Sequence, residues 1–201
     1  MDKKTVLVGV LAFGLIGFAT LAVWLLKPTV GLRGTVYAEP YPDAPLIRLT
    51  RHDGSTFQLG DLKGRIVLLF FGYTTCPDVC PTTLAELKTA IDRVGPENAG
   101  QVKVVFVTVD PQRDSPQRVQ EYVNHFNKEF IGLSGSEPEL AKVWNDYGIY
   151  RSVAGGSSAA GYLVDHTARI TLIGQDGKLR ASYGYETPVD DLVHDLQFLL
   201  Q

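Results

Sequence analysis

Two cysteines carry the reactive chemistry of this chain. They stand in Gly72-Tyr73-Thr74-Thr75-Cys76-Pro77-Asp78-Val79-Cys80-Pro81, directly after the apolar run Ile66–Phe71 and before a stretch with helical spacing. A thiol at the start of a helix meets unpaired backbone N–H groups and the positive end of the helix dipole. Both favour thiolate over thiol, and the thiolate is at once the nucleophile and the ligand for soft metals. Three residues between the cysteines put the sulfurs about one helical turn apart, where they could share a metal ion or, with some unwinding, close a disulfide. A purely structural bridge is the bland alternative. It would close a very short loop, the case in which a disulfide stabilises least.

Two thiolates leave most metals under-coordinated, so a further ligand has to come from elsewhere. There are four histidines. His52 lies in a polar turn, and His125 and His194 fall in expected helices; all three read as surface or internally satisfied residues. His166 differs. It ends Tyr162-Leu163-Val164-Asp165, an apolar stretch that follows a glycine-rich segment. Cys76, Cys80 and His166 together suit copper(I), because thiolates select it and imidazole completes a three-coordinate site; copper(II) is also allowed. Zinc would want a fourth ligand or an open water position, which Asp78 or Asp165 could supply. We expect these two aspartates instead to orient ligands or tune charge, against the alternative of plain solvation in turns.

Several elements must position these groups. Leu46–Thr50 and Thr56–Leu59 around His52-Asp53-Gly54 predict a small hairpin. Ile66–Phe71 and Val102–Val109 are continuous apolar runs, typical of strands buried on both faces. The spacing predicts helices over Pro81–Val94, from Ser115-Pro116 to about Phe126, and from a Ser136/Glu139 capping box to about Tyr147. Phe130–Leu133 reads as a short strand and Ser152–Gly161 as a flexible loop. Strands near Arg169–Ile173 and Leu179–Tyr183 flank a Gln175–Lys178 turn, and Thr187-Pro188 opens a last helix. The order β-α-β-α-β-α-β-β-α means a mixed sheet with helices on both faces, and a buried strand delivering thiols to a helix start fits a thioredoxin-like architecture.

The 201 residues carry 19 Lys+Arg against 22 Asp+Glu, a net charge of −3. Without a basic excess, general nucleic-acid binding is excluded. Thr5–Leu26 is free of charges, and as a helix it would span roughly 33 Å, enough for a bilayer core. Its length, and Trp24 near its end, favour an uncleaved transmembrane anchor over a cleaved signal peptide. Lys3 and Lys4 favour an inside N-terminus, while Lys27 and Arg33 oppose it. The expected organisation is a short cytoplasmic N-terminus and anchor over residues 1–27, a Pro- and Gly-containing linker over 28–45, and one domain over 46–201. The domain is expected outside a bacterial inner membrane.

At Phe71–Pro81 (FGYTTCPDVCP), Val107–Pro116 (VTVDPQRDSP), Tyr162–Thr167 (YLVDHT) and Ile170–Leu179 (ITLIGQDGKL), the chain resembles the Sco/SenC family of copper proteins that assemble cytochrome c oxidase. The resemblance covers nearly all of the expected domain, and an N-terminal anchor accords with it. It implies a thioredoxin-like fold whose Cys76, Cys80 and His166 bind copper. It also implies either delivery of copper to the dinuclear copper centre of oxidase subunit II or reduction of the cysteines of that centre. A copper donor and a thiol reductant would be further partners. Thr75 stands where many members carry His, so no metal role transfers to it, and Ser115 replaces a common Thr while keeping a capping hydroxyl. Asp110–Asp114 resembles the family motif, but its residues give only a charged turn between strand and helix, with partner docking secondary.

Overall fold

The computed structural model describes residues 31–158 and 161–201, with 155–158 by backbone alone. The apolar segment Thr5–Leu26 lies outside the described residues, among which no helix is long and apolar enough to cross a membrane. The expected thioredoxin-like mixed sheet is present. Its central strand is β4 (Ile66–Gly72), in which every residue is buried. Such a strand needs cover on both faces, which is why it reads as an unbroken apolar run. Parallel to it lies β5 (Val102–Thr108), and β6 (Ile131–Leu133) follows in the same sense. On the other side β9 (Arg169–Ile173) and β10 (Leu179–Gly184) continue the sheet antiparallel. A two-residue strand, β1 (Thr35–Val36), closes the order β1-β10-β9-β4-β5-β6.

Consecutive phenylalanines of β4 point to opposite faces, as the pleat requires. Phe70 meets Phe106 of β5, which meets Tyr122 of α3 (Pro116–Asn124). Phe71 meets Tyr147 at the end of α4 (Glu137–Asp146) on the other side. Helix α1 (Val79–Arg93) packs against the C-terminal α5 (Val189–Leu199), and a single helical turn, α2 (Pro96–Ala99), leads into β5. The expected caps form on α3, where Ser115 accepts the Arg118 N–H, and on α4, where Ser136 and Glu139 make the reciprocal capping box. Thr187 does not cap α5; its hydroxyl donates to the Gly184 carbonyl, and the helix begins behind Pro188. Strands β2 (Arg48–Thr50) and β3 (Thr56–Gln58) form the expected hairpin.

Two expectations are corrected. Residues 152–158 and 161, from the stretch anticipated as a flexible loop, belong to a second hairpin. Its strand β7 (Arg151–Ser158) pairs antiparallel with β8 (Gly161–His166), Arg151 opposite His166 and Val153 opposite Val164. Strand pairing is made by backbone groups, so Gly, Ser and Ala do not prevent it even though they give no apolar alternation to read. The stretch 28–45, anticipated as a linker, is fastened to the domain from residue 32 on. The N–H groups of Tyr37 and Ala44 donate to Arg180 and Gly177, and the Leu179 N–H donates to Pro42. The buried Asp195 carboxylate accepts the backbone N–H of Arg33 at 2.8 Å and of Gly34 at 3.0 Å, along with the Tyr183 hydroxyl. Leu32–Gln201 accordingly forms one compact unit.

Candidate metal centre

Strand β4 ends at Gly72, and the chain turns through Tyr73–Pro77 into α1. Gly72 is required by close approach: a Cβ there would lie 2.7 Å from the Cys80 sulfur and 2.8 Å from the Phe106 ring. Cys80, in the first turn of α1, is fully buried, whereas Cys76 is half-buried at the mouth; both are free thiols. The Cys80 N–H points at the Cys76 sulfur at 3.4 Å. A hydrogen bond from the Cys80 thiol holds the Cys76 thiol down to about 5; burial opposes this, and the N–H groups of Asp78 and Cys80 and the nearby His166 assist it. The same bond, with burial and the Cys76 charge, pushes Cys80 up. One sulfur is therefore a thiolate at neutral pH and the other its internal donor. Backbone N–H groups at the helix start contribute to this at Cys76, but the first cause is the partner thiol, and Cys80, inside the first turn, moves the opposite way.

Cys76, His166, Asp78 and Asp165 line one shallow cavity of about 240 Å³, with Tyr73, Pro77, Val79, Leu163, Val164 and Ala168 as its apolar part. The fold thus brings the distant imidazole to the thiol loop. It does not deliver an assembled ligand set: among the described residues no three His, Cys, Asp or Glu side chains converge as a metal site. The His166 ring is engaged otherwise. Its Nε2 lies 3.1 Å from the Phe71 carbonyl and its Nδ1 3.2 Å from the Val164 carbonyl, and the Tyr73 ring stands edge-on to it at 5.7 Å. Both ring nitrogens thus face backbone carbonyls, and a single ring N–H can serve only one of them at a time. Asp78 and Asp165 are exposed, and neither carboxylate bonds Cys76, Cys80 or His166 among the described contacts. Backbone carbonyls, not these aspartates, orient the ring. His52 and His125 are exposed as expected; His194 is half-buried, with Nδ1 2.8 Å from Asp195.

The segment Asp110–Asp114, read from the sequence as a charged turn, is a buried polar network. Asp114 is fully buried; it accepts the Thr74 N–H and hydroxyl at 3.0 and 2.6 Å and the Thr108 hydroxyl at 2.7 Å, pinning the thiol loop to the end of β5. Burial nonetheless pushes its carboxyl up, against those donors. Asp110, also fully buried, accepts from the Arg113 side chain and, at 2.7 Å, from the Tyr162 hydroxyl of β8. The signal for this was the pair of acids beside an Arg; the partners were hidden because Thr74 and Tyr162 lie 40 and 52 positions away.

With this arrangement in place, comparison with known proteins is decisive. The family model described as SCO1/SenC matches residues 44–201. The chain belongs to the SCO1/SenC family. The Arabidopsis thaliana protein named SCO1 homolog 1, mitochondrial, is 38% identical over 144 residues, 72% of this chain and 43% of that protein, so the chain spans less than half of that relative's length. The crystal structure of Arabidopsis thaliana ScoI with copper bound superposes with a TM-score of 0.72 at 36% identity, covering 78% of this chain and 97% of that one. The solution structure of apo Sco1 from Thermus thermophilus gives a TM-score of 0.75 at 35% identity, covering 85% of this chain and 98% of that one.

Proposed function

We propose that this SCO1/SenC chain is a membrane-anchored copper metallochaperone. It binds copper through Cys76, Cys80 and His166 and supports assembly of the dinuclear copper centre of cytochrome c oxidase subunit II. The observation that carries the reading is the common cavity: the Cys76 thiolate and an imidazole from β8 both line it, and the buried Cys80 thiol stands behind Cys76 at the adjoining helix start. The donor set fits the cargo, since two sulfurs and one nitrogen suit copper(I). Copper-bound relatives of the same fold accord with it. Loading asks two things of this chain's residues. Cys80 must surrender its proton, because the ligand is the thiolate. His166 must give up the Phe71 carbonyl if Nε2 is to be the donor, or the Val164 carbonyl if Nδ1 is. Asp78 and Asp165 act on the site by charge across the cavity. A copper donor and a thiol reductant supply what the chain lacks.

A second reading is favoured by the unequal thiols. Cys76 is the accessible thiolate and Cys80 the buried thiol, as in a thiol–disulfide oxidoreductase acting on the oxidase's copper-site cysteines. Cys76 would attack a partner disulfide and release one partner thiolate. Cys80, deprotonated, would then attack Cys76 and release the second, leaving a reduced partner and an oxidised Cys76–Cys80 pair. Thiol exchange tolerates loss of His166, whereas a three-ligand copper site does not. His166→Ala should weaken copper(I) affinity about tenfold or more in competition titration; unchanged affinity with intact reductase activity would favour the second reading. The apolar segment Thr5–Leu26 supports a single-pass anchor in a bacterial inner membrane with the domain outside. N-terminal sequencing of membrane-extracted protein tests it: a chain beginning after residue 26 overturns the uncleaved anchor.

A further inference from the structure

We propose that Arg113, seated on Asp110, is a positioning residue for His166: it clamps the β7–β8 hairpin through Tyr162 and so sets where the imidazole stands against the thiol loop. The proposal rests on His166 acting in copper binding. Asp110 is fully buried, and a buried carboxylate is tolerated only with donors. Among the described residues it has two, the Arg113 side chain and the Tyr162 hydroxyl at 2.7 Å. An Arg three residues from an Asp could be no more than a turn clamp, but the other described contacts of the Arg113 side chain leave the turn. Its Nη1 donates to the Tyr162 carbonyl at 2.9 Å, and its guanidinium lies 3.7 Å from the centre of the Tyr162 ring. Asp110 and Arg113 thus take hold of hydroxyl, ring and carbonyl of one hairpin residue.

Arg113 also reaches the thiol loop, at Tyr73. Its guanidinium is 5.6 Å from the centre of the Tyr73 ring, whose edge-on contact is His166 and whose carbonyl accepts the Cys76 N–H. The guanidinium therefore sits between an aromatic ring of the hairpin and one of the thiol loop, and both contacts use its planar, delocalised form. Tyr162 and His166 are four residues apart on one strand, so they share a face, and a shift of β8 at Tyr162 is passed to His166. Opposite His166, Arg151 donates to the Val109 carbonyl. The hairpin is thus tied at both ends to the segment that follows β5.

The test uses the full chain in detergent with Arg113→Lys and Tyr162→Phe, each made in the wild type and in His166→Ala. Lysine keeps the charge but loses the fork and the stacking plane; phenylalanine keeps the ring but loses the bond to Asp110. Amide hydrogen exchange should quicken about tenfold across residues 162–166 and stay unchanged in β4 and β5, which serve as the control for folding. Copper(I) affinity, measured by competition with a chromophoric chelator, should fall about tenfold in the wild-type background and not at all in His166→Ala, because the effect runs through the imidazole. Unchanged exchange at 162–166 overturns the clamp. So does an equal loss of affinity in both backgrounds, which would place the effect on the thiols. If His166→Ala itself leaves copper binding intact, the ligand reading fails, while the exchange data still judge the clamp.

Discussion

At the scale of single residues, the unequal environments of two identical side chains govern the site. Cys80 donates and Cys76 accepts, so the pair shares a proton unevenly. Alkylation of the native chain should label Cys76 and spare the fully buried Cys80, with a half-maximal rate near the Cys76 value of about 5. Cys80→Ala should move that midpoint up toward an ordinary thiol, while Cys80→Ser, which keeps an O–H donor, should leave it low; a midpoint unmoved in Cys80→Ala would refute the internal donor. The sign for stability follows. The folded Cys76 value lies below the 9.0 of a free thiol, so its ionisation adds stability that is complete above about 9 and is lost as pH falls toward about 5. Denaturation of the wild type against Cys76→Ser across that window measures it.

At the scale of elements, the end of β4 decides how closely helix and sheet approach. Gly72→Ala introduces a methyl 2.7 Å from the Cys80 sulfur at a backbone conformation that any residue adopts, so its cost is one of space alone. Overpacking of this kind should destabilise the domain by roughly 1–3 kcal/mol in urea unfolding and raise the accessibility of Cys80; a neutral result would mean that α1 is free to shift. The elements themselves were largely legible. β4 and β5 announced burial on both faces through unbroken apolar runs, and α3 and α4 announced their starts through Ser115-Pro116 and Ser136/Glu139. β7 was not legible, because Ser152, Ala154 and Ser158 pair through backbone groups that no side-chain period reports. The site divides in the same way. Cys76 and Cys80 declare themselves locally, and His166 came from its apolar strand and the family resemblance. The Asp110–Arg113–Tyr162 contacts join segments far apart in sequence, and the carbonyl of Phe71 as the ring's partner has no sequence signature at all.

At the scale of the whole molecule, the sheet is completed by residues that precede the apparent start of the domain. Asp195 carries that closure: it is fully buried and accepts from Arg33, Gly34 and Tyr183, with His194 beside it. Asp195→Ala leaves these donors without their acceptor, at about 1–3 kcal/mol for each one that stays buried. Residues 32–36 should then become sensitive to proteolysis at enzyme concentrations that leave the wild type whole, and the melting temperature should drop. Unaltered cleavage would show that β1 pairing with β10 holds the segment unaided.

The depth difference between the two sulfurs imposes an order of events on anything that visits. A caller from outside can touch only the outer atom, and the inner one joins after that first bond has been made. Traffic through the pocket is consequently single file: the same sulfur is first to greet and last to let go, so a partner able to grip both at once would find no room to do so.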